Sequence, residues 1–399
     1  MIKYTHTLQV VQQKAEQYFD YAVKVRRHLH EYPELSFQEF KTSEFIQKEL
    51  EEIGIPYQVM GNTGVVALLK GKKASGKNIA FRADIDALPI QETEGRKYGS
   101  KNPGVMHACG HDAHTASLLG MARILNDLKD EFGGTVKFIF QPAEEQVPGG
   151  AKTLIKEGVL KNPEVDWVTG QHVMPSLEAG QVAFRSGVYM ASADELQINI
   201  YGKGGHAAQP HQNIDPIAIS AQVVTALQQV VSRMADPRIP TVLSWGSISG
   251  KGAHNVIPDK VEIVGTFRTF NEKWRAAALA KIKEVACSIS EGMGATCELL
   301  VKPGYPVLEN NSELTDKNKK WAVEYLGKEN VKELDLWTAS EDFAYYAQEK
   351  PACFYRLGTG NISKNITSAV HTSTFDIDEK ALLVGIGLMS YLAIKQLQE

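Results

Sequence analysis

A thiol, three imidazoles and a carboxylate fall within the nine residues His107 to Thr115, as His107, Cys109, His111, Asp112 and His114. No other stretch of the 399-residue chain is so rich in groups that bind cations. Directly after it, Ala116 to Leu125 repeats apolar residues at helical spacing, which puts this chemistry at a helix start. Cys109 and His111 are two apart, about 200° round a helix of ~3.6 residues per turn, so both are expected in the turn before the helix. Farther along stand Glu144-Glu145, His172 and His371. Imidazole and thiolate suit zinc and its neighbours, and a carboxylate widens the choice to manganese, cobalt or nickel. Cys109, His111, Glu145, His172 and His371 can be assembled as two metal sites. Two ions about 3.5 to 4 Å apart polarise a carbonyl and lower the pKa of water, and an adjacent carboxylate completes a hydrolase. Glu144 suits that role, because one of two neighbouring carboxylates can take the metal while the other takes the proton. Taken singly, a Cys is usually a small buried hydrophobe and a His a hydrogen-bonded core or surface residue. The case rests on their joint placement.

That placement comes from the elements. Residues 7 to 30 and Glu39 to Ile53 read as amphipathic helices, the second ended by Gly54 and Pro56. At the end of the first, His28 and His30 sit two apart on one helix, point in different directions, and are read as structural. Gly64 to Lys70, Asn78 to Asp86, Gly134 to Gln141 and Val165 to His172 read as strands, with a helix from Ala151 to Glu157 before the last. Alternating strands and helices predict an α/β layer with a mixed, largely parallel sheet, and in such sheets ligands bind beyond the carboxyl ends of the strands. Asp84, Asp86, Glu144, Glu145 and His172 all fall at such ends. Asp86 is the preferred residue to hold a ligand His in its tautomer, while His107 and His114 stay open between support and packing.

From about Ser192 the pattern changes to β-α-β-β-α-β: Glu195 to Tyr201, Pro216 to Ser232, Thr241 to Ser249, Lys260 to Thr269, Glu272 to Gly292 and Ala295 to Lys302. This predicts an inserted ferredoxin-like α+β lid at 191–303, within a catalytic metal-binding domain formed by 1–190 and 304–399. In the lid, Gly202-Lys203-Gly204-Gly205-His206-Ala207 lacks the last glycine of a dinucleotide loop, so His206 is better read as a donor to the oxyanion of a tetrahedral intermediate. Arg268 could fork a carboxylate or make a surface ion pair, and Asn255 is by default a turn residue.

Composition narrows the partners. A formal charge of −4 and a pI near 6.3 give no electrostatic reason for a nucleic-acid or anionic-membrane partner, so small molecules are expected. The first twenty residues have no apolar signal core, and no run of about 18 apolar residues occurs, so the expectation is a cytoplasmic protein. The cysteines at 109, 287, 297 and 353 have no framework spacing, which argues against disulfides.

Seven ordered motifs give the chain a wider resemblance: Arg27 to Ser36, Arg82-Ala83-Asp84-Ile85-Asp86-Ala87-Leu88-Pro89, Met106 to Thr115, Gln141-Pro142-Ala143-Glu144-Glu145, Gly170-Gln171-His172, Gly202 to Ala208 and Ser340-Glu341-Asp342-Phe343. Over nearly its whole length the chain resembles the metal-dependent N-acyl-amino-acid amidohydrolases, a group of aminoacylases, hippurate hydrolases and indole-acetyl-amino-acid hydrolases akin to di-metal carboxypeptidases. The resemblance implies a di-metal exopeptidase-like catalytic domain. It implies that Cys109, His111, Glu145, His172 and His371 ligate two divalent ions, manganese or zinc with cobalt or nickel as alternatives, and that Cys109 bridges them. Glu144 would be general base and acid. Asp84 stands where the related peptidases carry a metal-binding His, for which His111 substitutes. Gln146-Val147-Pro148 depart from the family's glycines. The resemblance also implies a homodimer through the lid, with His206 reaching the neighbouring subunit's site and Arg268 and Asn255 holding substrate. Hydrolysis of N-acyl amino acids is the reading this favours. A dipeptidase or carboxypeptidase, or a non-catalytic amino-acid-conjugate binding protein, are the alternatives.

Overall fold

A computed structural model describes residues 2–399, the side chains of residues 2–6 and 75 excepted. The chain forms two compact units, one of residues 1–187, 309–335 and 342–399, the other of 188–308 and 336–341.

The first unit is built on an eight-stranded sheet. Its order is Tyr57–Met60, Gly64–Lys70, Gly133–Gln141, Lys73–Asp84, Trp167–Glu178, Ala352–Gly360, Val182–Phe184 and Val331–Glu333. The four central strands run parallel to one another, and antiparallel strands flank them, as the expected mixed sheet requires. Of these, Gly133–Gln141 and Ala352–Gly360 are buried along nearly their whole length, so neither shows the alternation of a half-exposed strand. Against the sheet pack the helices His111–Asp127 and Ala381–Leu397, and the helix Ile2–Glu31 packs on both of them. Ala381–Leu397 is buried on nearly every face, and the buried face of His111–Asp127 takes in fourteen of its seventeen residues. Two expected boundaries shift. The strand expected at Asn78 to Asp86 is Lys73–Asp84, so Asp86 lies beyond it, and the one expected to end at His172 continues as Trp167–Glu178.

The second unit is a four-stranded antiparallel sheet in the order Thr241–Ser249, Lys260–Thr269, Asp194–Tyr201, Thr296–Pro303, with helices Pro216–Gln229 and Glu272–Gly292 packed on it. The order and the β-α-β-β-α-β succession are those of a ferredoxin-like unit. Local chemistry fixes the helix starts. The Asp215 carboxylate accepts from the Ile217 and Ala218 amides ahead of a Pro216 that needs no partner, and the Asn271 side chain accepts from the Trp274 amide. Ile219, Val223 and Leu227 from one helix and Ala278, Ile282 and Ala286 from the other bury against Leu196, Ile198, Ile200 and Val261. Among the described residues no helix is long and apolar enough to cross a membrane.

Candidate metal centre

Parallel register brings the candidate groups to one edge of the sheet. Asp84 lies opposite Gln141, Arg82 opposite Gly170 and His172 opposite Arg356, so four neighbouring strands deliver their polar residues together. The helix His111–Asp127 begins beside them. Its N-cap, Gly110, has φ 85, and a Cβ there would lie 2.5 Å from Val173 Cγ2. This corrects the expectation that Cys109 and His111 both precede the helix: His111 is its first residue. The left-handed glycine between them turns the chain so that both side chains reach the same place.

The ligand atoms converge. Cys109 Sγ is 3.5 Å from His172 Nε2 and 3.3 Å from His371 Nε2. Glu145 Oε1 is 3.2 Å from His371 Nε2 and 3.8 Å from His111 Nε2. Ligand atoms of Cys109, Glu145 and His371 lie within 4.8 Å of one another, and so do those of His111, Glu144 and Glu145, two groups that share Glu145. Among the described residues no hydrogen bond reaches the buried atoms His111 Nε2 and Glu145 Oε1, the condition of atoms shaped for a cation. His371 reaches in from a left-handed turn at φ 63, its amide donating to the Ala108 carbonyl at 2.7 Å, while half of its side chain stays exposed.

The next layer aims these rings. His172 Nδ1 meets the Val173 carbonyl at 2.8 Å, and His111 Nδ1 meets the Asp86 carbonyl at 2.9 Å and its Oδ1 at 3.3 Å, which leaves both Nε2 atoms for a metal. Both nitrogens of His114 are taken, by Asp84 Oδ1 at 2.5 Å and by the Val173 amide at 2.8 Å, so it acts as support. Asp112 is drawn away to Arg26 Nε at 2.9 Å and His30 Nδ1 at 2.7 Å. His107 is fully buried, and burial lowers its ring to about 4.

The pocket is strongly anionic. Burial opposes charge on His111, yet Asp84, Asp86 and Glu145 outweigh it and raise the ring to about 10. Burial pushes the Cys109 thiol well up, and Glu145, Glu144 and Asp84 add to it, so Cys109 must give up its proton to a binding cation before it can ligate as thiolate. Burial, with Arg356, holds His172 well below the usual imidazole range, in the neutral form that ligates. The donors present therefore fit a pair of divalent cations.

Glu144 is buried in the loop that joins Gly133–Gln141 to the helix Gly150–Lys156. The Glu145 amide donates to Asp86 Oδ2 at 3.0 Å, and the Gly150 amide to the Ala143 carbonyl at 3.0 Å. Asp86 thus both orients His111 and anchors the residue after Glu144. Sequence reasoning missed three parts of this frame. Ser36 Oγ donates to Asp86 Oδ2 at 2.6 Å, Glu39 holds the Ala143 amide, and Asp342 accepts from Arg82 Nη2 at 2.8 Å, Gln141 Nε2 at 2.8 Å and the Ala151 amide at 3.0 Å. Ser36, Arg82 and Asp342 all lie in quoted motifs, and that membership was the available signal.

The remaining candidates belong to the second unit. His206 is exposed on the short strand Gly205–His206, paired with Val256, and the Asn255 carbonyl accepts from the Ala207 amide at 3.1 Å. Arg268, on the strand Lys260–Thr269, donates from Nη1 to the Thr338 carbonyl at 3.0 Å.

The chain is similar to known proteins. The profile of Peptidase family M20/M25/M40 matches residues 80–395. The N-acyl-L-amino acid amidohydrolase of Geobacillus stearothermophilus is 48% identical over 289 residues, 72% of this chain and 77% of that one. Thermostable carboxypeptidase 2 of Saccharolobus solfataricus is 40% identical over 380 residues, 94% of this chain and 95% of its own. Among solved structures, the Bacillus subtilis YXEP protein, described as a dinuclear metal binding peptidase from the M20 family, superposes with a TM-score of 0.82 at 37% identity, covering 96% of this chain and 99% of that one.

Proposed function

Since the chain belongs to peptidase family M20/M25/M40, we propose that it hydrolyses the amide bond of N-acyl amino acids, releasing a carboxylic acid and a free amino acid. The observation that carries this reading is the convergence of thiol, imidazole and carboxylate ligand atoms around a second, buried carboxylate, Glu144.

Cys109, His111, Glu145, His172 and His371 would hold two divalent cations, manganese or zinc, and cobalt and nickel suit the same donors. Such a pair supplies Lewis acidity and brings the pKa of water toward neutrality. Glu144 takes the proton from the attacking water and delivers it to the leaving nitrogen, one carboxylate serving as base and then acid. Asp86 keeps the His111 ring in the tautomer that presents Nε2. His206 donates a hydrogen bond to the oxyanion as the carbonyl becomes tetrahedral, and Arg268 and Asn255 hold the substrate's α-carboxylate and backbone. The second unit acts as lid and dimer contact, so that His206 serves the neighbouring subunit's site. Four free cysteines accord with work in the reducing cytoplasm.

Glu144→Gln tests the reading. It keeps the shape of the side chain, so metal content should stay at the wild-type level while hydrolysis of an N-acetyl amino acid falls by roughly 10²- to 10⁴-fold. Activity retained with metal bound overturns the assignment. A second reading, a carboxypeptidase or dipeptidase, is favoured by the similarity to the Saccharolobus carboxypeptidase. Turnover measured in parallel on N-acetyl, N-benzoyl and dipeptide substrates separates the two. A non-catalytic binding protein is opposed by Glu144 standing within the ligand cluster.

A further inference from the structure

The segment between the first two helices, Leu35 to Glu39, reaches the loop that carries Glu144 from a distance of about a hundred residues in sequence. Glu39 stands at the N-cap of the helix Phe40–Ile53, yet its side chain makes no capping bond. It is instead fully buried, with Oε1 accepting from the Ala143 amide at 2.8 Å and the Phe37 amide at 3.0 Å, and Oε2 from Thr63 Oγ1 at 2.7 Å. Burying a carboxylate for packing alone is costly, since an apolar residue fills the same space without the desolvation.

Ala143 is the residue that gains. Its φ is 52, in the left-handed region that L-residues avoid for steric reasons, so the surroundings must hold it there. The turn at Ala143 sets the direction in which the chain leaves for Glu144. Its amide is held by Glu39 and its carbonyl by the Gly150 amide at 3.0 Å. On the other side of Glu144, the Glu145 amide is held by Asp86, which Ser36 in turn buttresses. One short segment thus fastens the residue before the proposed base and, through Asp86, the residue after it.

We propose that Glu39 is a positioning residue for the hydrolytic reaction, holding Ala143 in its left-handed turn so that Glu144 is aimed at the attacking water. The proposal rests on the reading of Glu144 as general base. Burial, reinforced by Asp86, pushes the Glu39 carboxyl up to about 7, so its neutral form is populated near neutrality. A neutral acid still accepts both amides on one oxygen while the other donates to Thr63. A glutamine amide repeats that pattern.

Glu39→Gln and Glu39→Ala therefore separate aim from bulk. In Glu39→Ala the Ala143 amide loses its acceptor, its hydrogen exchange should accelerate by at least ten-fold, and kcat on an N-acetyl amino acid should fall by roughly 10²-fold, with KM and bound manganese near wild type. Glu39→Gln should keep kcat within about three-fold and restore protection at Ala143. If Glu39→Ala does not fold, Glu39→Asp, with the carboxylate one methylene short, takes its place and should show the same loss. Normal kcat per folded molecule in the alanine or aspartate variant, with only a lowered melting temperature, overturns the proposal; so does a glutamine variant as slow as alanine. Glu144→Gln is run beside them. If it stays active, the general-base reading fails; if it is inactive while Glu39→Ala turns over normally, only the positioning role fails.

Discussion

Asp86 serves three partners with one side chain and one carbonyl. Oδ2 accepts from Ser36 at 2.6 Å and from the Glu145 amide at 3.0 Å, while Oδ1 and the main-chain carbonyl face His111 Nδ1. His111, Ser36 and the Glu145 amide hold its carboxyl below the usual range even though it is fully buried, so it works as an anion. Asp86→Asn replaces one acceptor by a donor that must face Ser36, the Glu145 amide or His111. Removing such a partner typically costs 10- to 100-fold in metal affinity, and that loss is expected in a competition titration against a chelator. An unchanged affinity would remove Asp86 from the role of orienter. Residues of this kind divide sharply in how far sequence reveals them. Cys109, His111 and His172 announce themselves by type, since thiols and imidazoles near carboxylates have few common structural uses. Glu39 and Ser36 are ordinary residues at a helix start, and what sets them apart is a partner 104 or 50 positions away. Periodicity and spacing carry no trace of such partners, because they arise only when the sheet closes.

Elements show the same division for a different physical reason. The strand Lys260–Thr269 and the helix Glu272–Gly292 fall where the pattern puts them, because each has one wetter and one drier face and the helix has a true Asn271 cap, and the largely exposed strand Thr241–Ser249 lies at its expected bounds too. The region after residue 303 was legible only as mixed structure. There the strand Ala352–Gly360 is buried throughout and the helix Ala381–Leu397 nearly so, and an element buried on all sides has no apolar stripe to give its period away. The start of His111–Asp127 was misplaced because a helix does not need to begin after its functional residues when a left-handed glycine can turn the chain between them. That account makes Gly110 testable. Alanine there must adopt φ 85 and must displace Val173, whose Cγ2 would be 2.5 Å away. The left-handed backbone alone costs about 1–2 kcal/mol, and the overlap adds to it. Gly110→Ala should lower the urea midpoint and weaken metal binding together, because Cys109 and His111 diverge when the turn relaxes. A variant of normal stability and affinity would show that the turn does not set the ligand pair.

At the scale of the whole molecule the proposed roles divide between the two units. The candidate metal ligands and Glu144 belong to the first unit, whereas His206, Asn255 and Arg268 belong to the second. If His206 serves the neighbouring subunit, a dimer is a requirement of catalysis, since a monomer would lack its oxyanion donor. The two possibilities differ in a mixing experiment. Glu144→Gln disables the site that carries it, and His206→Ala disables whichever site that histidine serves. In a mixed dimer with His206 acting across the interface, the subunit with intact Glu144 receives His206 from the Glu144→Gln partner, and one site of two is whole. With His206 acting in its own subunit, every site in the mixture lacks one group. Co-expressing the two inactive variants with different tags should therefore recover roughly a quarter of wild-type specific activity, half the dimers being mixed and each holding one complete site in a two-fold assembly. Recovery that grows when the doubly tagged species is purified places His206 in trans. Absence of recovery in a purified mixed dimer places it in cis, and a chain that remains monomeric while fully active removes the need for a partner.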